Sequence, residues 1–263
     1  MLYSMRCKRL AVSRRKRPSN PAVEPYPSSV MYLHPLLSSL STTDRTALIQ
    51  RSEFRSYRRN DLVLESDEWT DRMYCVTGGL LRVVARGSAG NADVTTDFIR
   101  RGDIFHGPLL SEDGYQAAST LIAALPSSVY LVPVAAVREL CAKHPEMALG
   151  LVDLTLRRTG LLRRQLRRVS SLSAEALVGR VLHELTQLAP VGSGGYDKRI
   201  TQAVIASYSG LSREVVNKTM RDMESRGLVR RDGEGIHVPP DFASTDVGNL
   251  PSAKNEPSNG DSR

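Results

Sequence analysis

Residues 200–228, ITQAVIASYSGLSREVVNKTMRDMESRGL, constrain the fold of this chain more than any other stretch. Thr201 is placed to cap a first helix through Tyr208, and Ser209-Gly210 breaks it. Gly210 can adopt the positive φ that a tight inter-helix turn needs. Ser212 caps a second helix that runs to Arg226 and stops at Gly227. Val216, Met220 and Met223 are spaced to pack one face of that helix inward, while Arg213, Glu214 and Lys218 share its outer face near the start. This is a helix–turn–helix pattern, and the first turn of such a second helix reaches base edges in the major groove of DNA. An arginine can fork onto guanine O6 and N7, and a carboxylate can accept from the cytosine amino group. Phosphate repels a glutamate, so base reading is a physical reason to place one there. LVRRDGEGIHV follows as a β-hairpin turning at Asp232-Gly233, a wing beside the helices. The competing reading is an ordinary helical hairpin with solvated charges.

The rest of the chain bounds the setting. Its 263 residues give room for about two domains. An excess of 36 Lys+Arg over 28 Asp+Glu favours a polyanionic partner. Cys7, Cys75 and Cys141 lack CxxC spacing, which argues against a disulfide framework, a zinc knuckle or a four-cysteine cluster and fits a reducing cytoplasm. The basic SRRKR at 13–17 has no apolar run behind it, so it does not read as a signal peptide. Gly114 to Val137 carries 24 residues without a formal charge. Gln116, Ser119, Pro126 and Pro133 break it into short β-rich pieces, so buried strands are expected, not a membrane span.

Residues 1–30 are expected to be a disordered basic leader, with seven Lys/Arg and no acid in the first 20; Met31 is an alternative start. Residues 31–145 read as short strands with turns at Gly78-Gly79, 87–91 and 101–103, after a short helix at 43–51. That density suggests an antiparallel barrel or roll. A long helix from Pro145 to Val169 carries Val152, Thr155, Thr159, Leu162, Leu166 and Val169 at coiled-coil spacing, with six arginines as its solvated surround. Ser170 to Ser173 reads as a hinge within the helix segment 146–172. A domain at 173–240 then opens with an amphipathic helix capped by Ser173, with Leu177, Val181, Leu185 and Leu188 inward. Gly192 to Tyr196 is expected as a loop, and 241–263 as a loose tail. The fold class expected is α+β: an antiparallel β-roll, a long dimerisation helix and a winged helix–turn–helix.

No enzyme is expected, because no nucleophile–base–orienter set or paired carboxylates share an element. His183-Glu184 begins like a zinc-protease motif, but Gln187 stands where the second histidine belongs, so no metal site follows. The Gly192–Gly195 run lacks the GK[ST] ending of a phosphate loop.

In this order, a β-rich sensor, a dimerising helix and a C-terminal winged helix resemble the CRP/FNR superfamily of bacterial transcription regulators, the relatives of the cyclic-AMP receptor protein. The likeness covers roughly residues 36–238 and is most specific in GLSREVVNKTMRDMESRGLV. It implies that Arg213 and Glu214 read bases, that Lys218 replaces a third arginine, and that Gln202 touches phosphate, with Thr201, Ser212 and Asn217 beside them. Lysine keeps the charge but loses the bidentate fork, which relaxes preference at that base pair. It also implies a half-site resembling TGTGA, double-stranded DNA with two-fold symmetry and a second copy of the chain as partners, and RNA polymerase as a further partner for an activator.

The sensor half matches in outline at Leu62-Val63-Leu64, Met73–Val76, Gly79 and Arg101–Phe105. Its ligand chemistry does not match. The family's ribose-binding glutamate falls at Gly107 (Pro108 with a one-residue shift), its phosphate-binding arginine at Ala117 and the neighbouring serine at Ala118, before Ser119. Burying a cyclic phosphate with no cation leaves a costly unpaired charge, so standard cyclic-AMP binding is not expected and the cofactor is unknown. His106 in the same segment invites a haem reading, but no second ligand accompanies it. Three explanations stand: a different, more apolar ligand; a dinucleotide bound elsewhere; or no ligand, with DNA competence always on. A sensor of another small molecule acting mainly through a protein partner is the alternative function.

Overall fold

A computed structural model describes residues 28–87, 93–107, 112–169, 172–192 and 194–239. The N-terminal part holds helix α1 (Ser28–Tyr32), a 3-10 turn (Pro35–Leu37) and helix α2 (Thr42–Arg51), the last capped by Ser41, whose Oγ accepts from Asp44 N at 3.1 Å. Ten strands follow: β1 (Glu53–Tyr57), β2 (Leu62–Leu64), β3 (Trp69–Thr70), β4 (Arg72–Gly78), β5 (Leu80–Ala85), β6 (Val94–Arg100), β7 (Ile104–Phe105), β8 (Tyr115–Gln116), β9 (Thr120–Ala123) and β10 (Ser127–Pro133). They form two four-stranded antiparallel sheets, ordered β1-β10-β4-β7 and β2-β9-β5-β6, with β3-β8 as a small third ladder. Inward residues from both sheets, among them Leu64, Val76, Leu81, Ile99, Leu121 and Val129, fill one apolar core. The fold is therefore an antiparallel roll, as the strand density requires.

Three features differ from expectation. Residues 28–30 enter α1, and Met31 behind them is buried, so the expected leader does not extend through residue 30; residues 1–27 and 240–263 lie outside the described residues. A helix, α3 (Val134–Lys143), follows β10 directly where strands were expected, burying Val134, Ala136, Val137 and Leu140. Of the segment 192–196, expected as a loop, Gly195 and Tyr196 belong to β12 (Gly195–Asp197), which pairs with β11 (Pro190–Val191). The wing needs a strand to lie on, and β12 supplies it: Tyr196 is fully buried and pairs with Ile236 of β14 (Gly235–His237).

The long helix α4 spans Pro145–Val169, and α5 spans Ala174–Leu188 with Ser173 Oγ accepting from Ala176 N at 3.2 Å. Ser170 and Ser171 of the expected hinge lie outside the described residues. α6 (Gln202–Ser209) and α7 (Arg213–Ser225) complete the helical part, and the C-terminal sheet runs β11-β12-β14-β13, with β13 at Arg230–Arg231.

His34 joins the N-terminal turn to the roll. Its Nδ1 accepts from Leu36 N at 3.1 Å and its Nε2 donates to Gly102 O at 2.7 Å, a pattern that only the neutral ring satisfies. Burial holds its pKa below the ordinary 6.5, outweighing the bond to Gly102. Below 6.5 the unfolded chain therefore takes a proton that the folded one refuses. The stability due to this site is full above that pH and is lost as pH falls through the lower folded value. The urea midpoint should drop between about pH 7.5 and about pH 5.5, and His34→Gln should flatten that dependence. An identical slope in the variant assigns the effect elsewhere.

Candidate nucleic-acid interface and effector pocket

The inter-helix turn is built as the local chemistry requires. Gly210 sits in the left-handed region at φ 71, and Ser212 Oγ accepts from Val215 N at 3.2 Å, capping α7. Val216, Met220 and Met223 are 0% exposed, which anchors α7 by one face. Arg226 pins its far end, donating to Glu175 at 2.7 Å and to Asp222 at 3.0 Å. Tyr208 Oη donates to Glu184 at 3.0 Å, joining α6 to α5.

With that face fixed, Arg213, Glu214 and Lys218 are all exposed, and no ion pair within the described residues holds any of them. Their charges face outward, free for a partner. Gln202 Nε2 donates to Asn217 Oδ1 at 3.3 Å, so the start of α6 lies beside α7. Thr201 caps α6 by backbone geometry, with no cap bond from its hydroxyl. The wing turn lies close by, where Lys198 donates to Gly233 O. The predicted DNA-facing residues thus lie on neighbouring segments beside a capped, half-buried helix.

The helical domain also packs on the roll. Leu80, Phe98, Ala124 and Leu125 share one apolar cluster with the core of α5, α6 and α7. The rings of Phe98 and Tyr208 meet edge-on, 4.8 Å apart. Thr95 N donates to Ser207 Oγ at 2.8 Å, and Ser207 Oγ donates to Asp93 O at 2.9 Å. The contact engages α6 and leaves the outer face of α7 open. Residue order alone does not foretell it, because the paired residues stand more than a hundred positions apart.

The pocket residues have a different fate. Gly107 is buried against Tyr115: a Cβ there would fall 2.2 Å from the ring. Tyr115 is itself buried, with its hydroxyl donating to Arg72 O at 2.8 Å. The place expected for a ribose-binding carboxylate is therefore filled by an aromatic ring. Ala117 is buried with both backbone groups paired, to Glu68 O and Asp67 N, whereas Ala118 is exposed and Ser119 half-buried. Pro108 lies outside the described residues. His106 bonds Gly107 O at 2.8 Å and Thr155 Oγ1 at 3.4 Å. Arg158 enters from α4, but it is taken: it pairs with Asp97 at 2.7 Å, donates to Ile104 O at 3.3 Å and lies over the Phe105 ring. Burial raises the pKa of Asp97, and Arg158 opposes that shift. These residues do not fit a cyclic nucleotide. Among the described residues no His/Cys/Asp/Glu group could hold a metal ion.

Gly107→Ala should cost about 1–3 kcal/mol of stability by overpacking. Adding Tyr115→Ala should shrink that increment in a double-mutant cycle followed by urea unfolding. Additive losses would mean that the ring is not the obstacle.

The outer face of α4 carries more apolar residues than the expected seam. Thr155 is exposed, with its hydroxyl donating to Leu151 O at 2.8 Å and standing 3.4 Å from His106 Nε2, one turn past the buried Met147 and Leu151. The outward apolar stripe is Leu149 (63% exposed), Val152 (54%) and Leu156 (65%), with Thr159 half-buried one turn on. Leu149 and Leu156 lie outside the seam expected from the sequence, yet are exposed too. Leu162 is exposed at 38%, and the side chains of Leu166 and Val169 lie outside those described.

Comparison with known proteins agrees with this architecture. Residues 54–144 match the cyclic nucleotide-binding domain, and residues 178–240 match the Crp-like helix-turn-helix domain. The chain is 28% identical to the CRP-like cAMP-activated global transcriptional regulator of Mycobacterium tuberculosis over 198 residues, 73% of this chain and 86% of that protein. It is 23% identical to the cAMP-activated global transcriptional regulator CRP of Pasteurella multocida over 195 residues, 72% of this chain and 91% of that one. Among solved structures, FixK2 from Bradyrhizobium japonicum superposes with a TM-score of 0.64 at 20% identity, covering 73% of this chain and 94% of that one. The c-di-GMP responsive global regulator CLP of Xanthomonas campestris superposes with a TM-score of 0.62 at 16% identity, covering 75% and 99%. No helix among the described residues is long and apolar enough to cross a membrane.

Proposed function

We propose, from the premise that this chain belongs to the CRP/FNR superfamily of transcription regulators, that it reads a two-fold symmetric DNA site as a homodimer and that cyclic AMP does not gate it. The observation that carries the reading is the exposed, unpaired Arg213–Glu214–Lys218 face of a helix whose opposite face is wholly buried. Arg213 forks onto guanine, Glu214 accepts from cytosine, and Lys218 takes a further purine or the backbone. Thr201, Gln202, Ser212 and Asn217 meet phosphate, which fixes register without reading sequence. Pairing through α4 sets two α7 helices about 34 Å apart, one turn of DNA. An activator of this kind also meets RNA polymerase.

Independence from cyclic AMP is supported by the pocket. Tyr115 fills it, Arg158 is held by Asp97, and no free buried cation faces Gly107 among the described residues. Met147 and Leu151 pack α4 against the N-terminal half, Arg158 ties it to the roll through Asp97, and Phe98 and Thr95 fasten α6. In vitro site selection with ligand-free protein should enrich an inverted repeat resembling TGTGA, and saturating cyclic AMP should leave the affinity unchanged. Failure to enrich any sequence defeats base reading. A rise in affinity on adding cyclic AMP defeats independence alone.

A further inference from the structure

β4 has two differently occupied faces. Tyr74 and Val76 point into the interior of the roll, whereas Met73 and Cys75 point to the opposite side, where α1, α2, α3 and the start of α4 cover the sheet. On that helical side lies a cavity of about 20 Å³, room for one atom-sized guest. Four sulfur-bearing side chains line it: Met31 from α1, Met73 and Cys75 from β4, and Met147 from the first turn of α4. All four are between 1% and 3% exposed, and Cys75 is a free thiol. The other walls are leucine, isoleucine and valine, with His34 the one exception. Both ring nitrogens of His34 are already bonded, to Leu36 N and Gly102 O, so a water would find too few partners to stay.

The gathering of sulfur is specific. Of the five described methionines, three meet at this cavity, and the other two, Met220 and Met223, anchor α7. Leucine fills nearly the same volume as methionine, so packing alone gives no reason to bring thioethers here from three separate elements.

We propose that this cavity binds a single copper(I) ion, held by the Cys75 thiolate and the thioethers of Met31, Met73 and Met147. Thiolate and thioether are soft donors that select copper(I) over harder ions. A monovalent ion beside one thiolate is neutral overall, which dry apolar walls tolerate, whereas a divalent ion would carry net charge into them. Binding exchanges the S–H bond of Cys75 for an S–Cu bond and releases the proton to solvent, with no change of oxidation state. The unbranched methionine side chains, each with three rotatable bonds, let the sulfurs close on the ion. The ion then ties α1, β4 and α4 to one atom, and it holds α4 two residues before Leu149.

The test uses full-length protein carrying Cys7→Ser and Cys141→Ser, which leaves Cys75 as the lone thiol. Without oxygen, and with bathocuproine disulfonate as competitor, it should take up one copper(I) per protomer and melt at a higher temperature. Adding Met73→Leu and Met147→Leu conserves core volume and should leave the metal-free melting temperature nearly unchanged. That variant should bind copper(I) about a hundredfold more weakly or worse, beyond the loss expected from an outer partner of a metal site. Adding Cys75→Ala instead should abolish uptake. Failure of the parent protein to hold copper(I) against the chelator overturns the proposal. Uptake that the double leucine variant leaves intact overturns it too, since a lone thiol would then suffice. So does an equal rise in melting temperature with zinc(II), because a divalent guest contradicts the charge balance of the site.

Discussion

Leu149→Glu combined with Leu156→Glu is expected to split the proposed dimer and to lower affinity for a two-half-site duplex by about a hundredfold or more. The two leucines stand 63% and 65% exposed on the stripe of α4 that turns away from the roll, with Val152 between them. Burying a leucine against a partner contributes about 1.5–3 kcal/mol, and each substitution is counted twice in a two-fold pair. Four buried carboxylates would add repulsion. The DNA loss follows because a lone protomer holds one half-site and forfeits the effective concentration of its twin. Sedimentation and duplex titration on the same sample give both readings. A variant that stays dimeric places the pairing face elsewhere, and one that turns monomeric yet binds equally well removes the need for a pair.

Arg213→Ala should cost about 1–3 kcal/mol per half-site on the selected duplex and little on random DNA. Arg213→Lys should recover little of it, since an ammonium cannot make the two-pronged bond to guanine O6 and N7. The helix itself should survive, because Ser212, not Arg213, supplies the cap and the buried methionines supply the anchor. Equal losses on selected and random duplexes would reassign Arg213 to the backbone. Lys218 already departs from the arginine that the family pattern favours, so selection should return its least defined base at the position it faces.

What could be read from residue order alone was whatever is encoded locally. The α6–turn–α7 unit declares itself through Gly210, Ser212 and Gly227, each a near neighbour of the helix end it governs. α2 and α5 were equally legible because caps and apolar spacing agree over ten residues or more, and α4 by its long run of apolar spacing alone. α3 was hidden because Val134, Ala136 and Val137 extend the apolar run of β10 without a break. The strands β3, β7 and β8 have two residues each, too few to show alternation. The register of α4 depends on which face meets the roll, a long-range fact that spacing cannot carry. The same limit hid the filled pocket: the absence of a carboxylate at Gly107 was plain in the sequence, whereas the reason, the ring of Tyr115, appears only in space.

The packing of Phe98 against Tyr208 has a last consequence. Since Leu80, Phe98, Ala124 and Leu125 share one apolar cluster with α5, α6 and α7, the interior of the helical domain continues into the roll, while the N-terminal half keeps two further clusters of its own. Heating that opens the helical domain should therefore also strip cover from β6, and a fragment cut near Ser173 would carry a greasy scar where β6 used to lie. A substitution on that strand, far from any nucleic acid, would then register as an altered grip on the chromosome.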